Sequence, residues 1–139
     1  MIKEQISKEN LLDEQVLEMV GKFEAYKTTI KCLHWSAITM SEHELCDDIC
    51  KEVDSFEDVI AEIEQGIAGE RISLNNLPLF EPVEGNLQFV LSNLLADVEK
   101  YYDHILEVEP SVPELVSETE TFLGKIQKWI YLSKMVVRN

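Results

Sequence analysis

A chain of 139 residues with 45% hydrophobic content is long enough to bury one core and too apolar for a disordered polymer, so a single domain spanning 1–139 is expected. A formal charge of −15 excludes a protein built to neutralise phosphates. No direct nucleic-acid binding is expected, since the first ten residues set two lysines against two glutamates and the other end adds only Lys134 and Arg138.

Three cysteines without a CxxC pair make neither a disulfide framework nor a zinc ribbon and point to a reducing cytoplasm. No membrane association is expected either. No apolar run approaches the roughly 20 residues that cross a bilayer, and MIKEQISKEN lacks the apolar stretch of a signal peptide.

Leu12, Val16, Met19, Phe23, Tyr26, Ile30 and Leu33 recur at alternating spacings of four and three, the seam of a helix expected over 11–34 with Asn10 as its N-cap. Ser41 and Glu44 have the S-x-x-E form of a capping box, so a second helix is expected from Ser41 to about Gly66, antiparallel to the first. Residues 67–85 lose the period and carry Asn-Asn, two prolines and two glycines. This connection is long enough to run the length of a helix, with Leu77, Leu79 and Phe80 expected to anchor it on the core.

A third helix over 86–108 shows Leu87, Leu91, Leu94, Val98, Tyr101 and Ile105 on one face. Ser111 and Glu114 repeat the capping-box form ahead of a fourth, with Leu115, Phe122, Ile126, Trp129 and Val136 as its seam. Four long helices joined by short, long and short connections give the expected fold: all-α, a ferritin-like four-helix bundle with a long crossover between the second and third helices.

The chemistry is concentrated between His34 and Glu62, where two of the three histidines share a stretch with nine acids and one lysine. At about 100° per residue, His43, Asp47, Asp54, Asp58 and Glu62 fall within one stripe of the second helix, opposite Leu45, Ile49, Val53, Phe56 and Ile60. Such a face is either a solvated surface or half of a metal site. Iron and manganese favour carboxylate oxygens with one or two imidazoles, which is the mixture on this face. His43 and Asp58 are fifteen residues apart, about 22 Å along a helix, too far for one metal to touch both. Two copies of the helix packed antiparallel about a two-fold axis near residues 50–53 would instead bring His43 and Asp47 of one chain to Asp58 and Glu62 of the other.

No Glu-x-x-His occurs, so the usual in-chain di-iron motif of a bundle is missing. His104 has no partner at ligand spacing and reads as a surface residue or an ordinary polar contact. Asp54 reads as solvent-exposed.

His34-Trp35 followed by His43, Asp47, Asp58 and Glu62 resembles the ferroxidase signature of the Dps miniferritins, over residues 34–62 only. The intervals from His43 onward match that pattern, while His34 lies three residues closer to His43 than it prescribes. The chain is also similar to small ferritin-like proteins of phages and bacteria that share the shortened corner. The Dps resemblance implies an iron site at a two-fold dimer interface with His34, His43, Asp47, Asp58 and Glu62 as ligands. It further implies Fe(II) oxidation by peroxide or dioxygen, and a homo-oligomer that is a dimer or a dodecameric shell of dimers. The alternative from the same residues is a non-enzymatic ferritin-like scaffold whose acidic surface binds a basic partner.

Overall fold

The spacing of apolar residues is what the chain turns into architecture. The computed structural model describes residues 12–108 and 111–136. It is a bundle of four helices, α1 Glu14–Ser36, α2 Met40–Ala68, α3 Leu87–Val108 and α4 Pro113–Val136, with no strand among the described residues. The seams expected from the sequence form one core. Val16, Phe23 and Ile30 of α1, Ile49, Val53 and Ile60 of α2, Leu91, Leu94 and Ile105 of α3, and Leu115 and Ile126 of α4 are all fully enclosed. At its centre the Phe56 and Phe122 rings stack at 4.2 Å, and Phe23 meets both edge-on. These contacts tie α1, α2 and α4 together and add specificity beyond area burial. No helix among the described residues is long and apolar enough to cross a membrane.

The helix ends differ from the sequence expectation for physical reasons. Asn10 lies outside the described residues; the cap of α1 is Asp13, whose carboxylate accepts the Gln15 N–H at 2.8 Å. Thr39, not Ser41, caps α2, its hydroxyl accepting the Glu42 N–H at 3.1 Å. Thr39 and Glu42 form an equivalent T-x-x-E frame two residues earlier. Gly66 is simply helical, and α2 runs on to Gly69, whose left-handed φ of 70° closes the last turn through a bond from its N–H to the Gln65 carbonyl. Asn86 caps α3 by accepting the Phe89 N–H at 2.9 Å. The fourth helix starts at Pro113 rather than from a Ser111 cap, because proline's fixed φ suits the first helical position.

Partner residues give the helix directions. Tyr26 donates to Asp97, and His104 lies 2.8 Å from Asp13, so α3 runs antiparallel to α1. Since α2 is antiparallel to α1 as well, α2 and α3 run the same way. The connecting residues 69–86 accordingly travel alongside α1. Glu70 accepts the N–H of Leu12 at 2.9 Å, the Pro78 carbonyl lies over Gly21, and the Val83 carbonyl accepts the Thr29 hydroxyl at 3.0 Å. Leu77 and Phe80 pack inward, but Leu79 is 87% exposed and anchors nothing.

Gly21 is where the backbone of that connection comes closest to a helix, and a β-carbon there would collide with the Pro78 carbonyl and press on the Phe80 ring. Gly21→Ala should therefore destabilise the bundle by about 1–3 kcal/mol despite alanine's better helix propensity. Gly124→Ala, where a β-carbon meets nothing within 4 Å, should stabilise by roughly 0.5–1 kcal/mol. Urea unfolding followed by circular dichroism reads both; a Gly21→Ala chain as stable as Gly124→Ala would contradict the packing of the connection.

Candidate functional site

The turn between α1 and α2 is only three residues long, with Ala37 and Thr39 both in extended conformation. It sets the last turn of α1 directly against the first turn of α2, and the two histidines meet there. His34 Nδ1 lies 2.7 Å from the His43 carbonyl, His43 Nδ1 lies 2.9 Å from the His34 carbonyl, and the rings stack with centroids 3.8 Å apart. A carbonyl oxygen can only accept, so each Nδ1 carries a proton and donates. That leaves the lone pair of a neutral ring on Nε2, the tautomer found where a backbone carbonyl orients a metal-binding imidazole.

Asp47, one turn beyond His43, is half-buried and pairs with Lys51, whose Nζ is 2.9 Å from Oδ2. The hydrogen bond from Lys51 holds its carboxyl below the usual range, reinforced by the charges of Lys51 and Lys31. Asp58 and Glu62 lie further along the same face, exposed, and no ion-pair partner is found for either among the described residues. The structure thus brings together His34, His43 and the start of the acidic stripe and leaves Asp58 and Glu62 remote from them. Among the described residues, no three His, Cys, Asp or Glu side chains are grouped so as to hold a metal ion within one chain.

A cleft of about 460 Å³ opens between the outer faces of α1 and α2, lined by Lys27, Lys31, Trp35, Asp47, Lys51 and Asp54 among others. Trp35 is 70% exposed and stands at its rim rather than in the core. Asp54 is exposed but occupied, its Oδ1 being 2.9 Å from Lys27 Nζ. His104 makes an ordinary polar contact with Asp13 and is largely covered. Burial pushes the Cys46 thiol up to about 12 and raises Cys50 also, so both remain thiols.

Two acids that sequence reasoning passed over are buried. Glu64 accepts from the Tyr101 hydroxyl at 2.8 Å across the bundle. Glu57 sits on the flank of α2 that faces α1, where the Lys27 ammonium is 2.6 Å from Oε1, 2.7 Å from Glu24 and 2.9 Å from Asp54. Glu57 Oε1 is the one buried side-chain atom among the described residues with no hydrogen-bond partner, although the Lys27 ammonium lies beside it. Burial of Glu57, with a hydrogen bond to Glu24, raises its carboxyl to about 8, while that same bond lowers Glu24. Burial opposes the Lys27 charge, yet its contacts with Asp54, Glu24 and Glu57 raise its affinity for the proton. The signal for this cluster was the helix register: once His34 faces His43, Lys27 falls level with Cys50 and within reach of the next turns of α2.

No protein-family model, curated protein or solved structure matches the chain.

A raised Glu57 ties stability to pH. Folded Glu57 keeps its proton up to about pH 8. The unfolded chain releases it near 4.5, so the stabilisation is complete below 4.5 and is lost as pH climbs to 8. Glu57→Gln imitates the protonated acid and escapes that loss. Its stability relative to wild type should rise across this window by more than about 1.4 kcal/mol, read from denaturant melts at pH 4.5 and 8; a constant difference would contradict the assignment.

Proposed function

We propose that the chain is a ferritin-like bundle that pairs through α2 and binds Fe(II) at two symmetric sites shared between chains, where peroxide or dioxygen oxidises it. The parallel course of α2 and α3, with residues 69–86 beside α1 at three successive heights, supports the ferritin-like connection between them. The observation that carries the functional reading is the outer face of α2. Asp58 and Glu62 stand there exposed and without ion-pair partners among the described residues, on the same stripe as His43 and Asp47 but too far away to join them. An antiparallel second copy, its two-fold axis level with residues 50–53, is the arrangement that closes the distance. It sets Asp58 and Glu62 of one chain beside His43 and Asp47 of the other, with His34 adjoining through its contact with His43.

The donor set fits the substrate. Carboxylate oxygens with imidazole nitrogen suit Fe(II), and the anionic oxygens favour Fe(III) more strongly, which assists loss of the electron to the oxidant. Glu62, with two oxygens, is suited to bridge two ions. His34 and His43 present Nε2 because their Nδ1 protons are committed to carbonyls. A second reading, a binding scaffold without redox chemistry, is favoured by Lys27, Lys31 and Lys51, which already offset acids in the cleft; it predicts no stoichiometric iron affinity.

Asp58→Asn and Glu62→Gln keep side-chain size and remove the anionic oxygen, and each should slow Fe(II) oxidation on the order of tenfold or more with the helical signal unchanged. Stopped-flow absorbance of Fe(III) formation measures the rate, and light scattering should report a dimer or a multiple of it. Wild-type oxidation by the double variant, or a monomer with and without Fe(II), would remove the shared site.

A further inference from the structure

Lys51 is the only lysine between His34 and Glu62, and it stands inside the acidic stripe. On the helical wheel its direction falls between those of Asp58 and Glu62. Its ammonium holds Asp47 Oδ2 at 2.9 Å, yet its side chain is 72% exposed. So exposed a pair is worth little and exchanges readily. Asp54, one turn further, is 59% exposed and uses Oδ1 for Lys27, which leaves Oδ2 open to a second donor.

An antiparallel pairing of α2 with its two-fold axis between residues 52 and 53 sets each residue level with a definite partner. His43 comes level with the partner's Glu62, Asp47 with the partner's Asp58, and Lys51 with the partner's Asp54. The pair of Lys51 with Asp54 is complementary in charge, and the first pair sets an imidazole beside a carboxylate. The pair of Asp47 with Asp58 brings two carboxylates together and requires a cation between them.

We propose that Lys51 is an exchange switch for that cation site, holding Asp47 in the separate chain and passing to Asp54 of the partner subunit when two chains pair. The proposal rests on the α2-paired reading above and assigns it a means of control. A lysine that stayed on Asp47 would itself supply the cation and keep a metal out. A lysine that moves frees Asp47 for the metal and exchanges two ion pairs within the chains for two between them, one at each symmetric position. Pairing and cation binding then favour one another, and by linkage each strengthens the other by the same factor. The switch also gives a role to the one lysine that stands among the acids of this stripe.

The test uses Mn(II), a cation that dioxygen leaves unchanged, with Lys51→Gln, Lys51→Arg and, as a control for net charge, Lys125→Gln. Lys125 pairs with Glu52 at 2.6 Å on another side of α2. Free Mn(II) is followed by electron paramagnetic resonance at protein concentrations where the dimer dominates, and dimer affinity by sedimentation equilibrium without metal.

Lys51→Gln should bind Mn(II) about threefold more tightly per site, having no ammonium that returns to Asp47 in competition with the metal, and dimerise at least about threefold more weakly. Lys51→Arg should behave as wild type, and Lys125→Gln should change neither quantity. If Lys51→Gln matches Lys125→Gln, or changes one quantity without the other, the switch is overturned while the shared site stands. A wild-type chain that neither dimerises nor binds Mn(II) overturns both.

Discussion

The reciprocal contact between His34 and His43 is the constraint from which the arrangement of the functional face follows. Two helices joined by three residues could settle at several offsets, but two imidazoles that each donate to the other's carbonyl and stack at 3.8 Å allow one. With that offset set, Lys27 of α1 reaches Asp54 and Glu57 of α2, and the lower end of α1 comes beside Glu70. The same contact consumes both Nδ1 protons, so the corner that aligns the helices also settles which imidazole nitrogen of a neutral ring keeps its lone pair.

Charge is handled differently on the two flanks of α2. Toward α1, a buried acid is made tolerable by the Lys27 ammonium and by a proton shared with Glu24, because an isolated buried carboxylate is far more costly than a paired or protonated one. Toward the outside, Asp58 and Glu62 have no such compensation among the described residues, and their accumulation can be relieved by a cation or by another chain. On this account the internal cation Lys27 serves the fold, while the exposed cation Lys51 serves the assembly.

The four helices were legible because a buried seam must repeat at spacings of three and four, and nearly every seam residue is enclosed. Their ends were less so. Ser41 and Thr39 both stand three residues before a glutamate, and only the point at which α1 stops selects Thr39. Gly66 and Gly69 look alike in sequence, yet only Gly69 has the left-handed backbone that ends α2. Leu79 reads as an anchor and is exposed because the connection packs through Leu77 and Phe80 instead. The shared end of His34 and His43 followed from the short corner, but their stacking depends on the geometry of three residues that carry no periodicity. Glu57 escaped notice because it lies at the border of the acidic and apolar faces, where the opposing helix decides the environment.

Complementation between two inactive chains tests the shared site most directly. In the proposed dimer each site would take His43 and Asp47 from one chain and Asp58 and Glu62 from the other. A mixed dimer of Asp58→Asn and His43→Ala chains therefore gathers both lesions in one site and leaves its twin whole. Purified mixed dimers, held together by different affinity tags, should oxidise Fe(II) at about half the wild-type rate per dimer, with each parent dimer nearly inactive. Mixed dimers as inactive as their parents would show that the ligands do not come from two chains and would contradict the account.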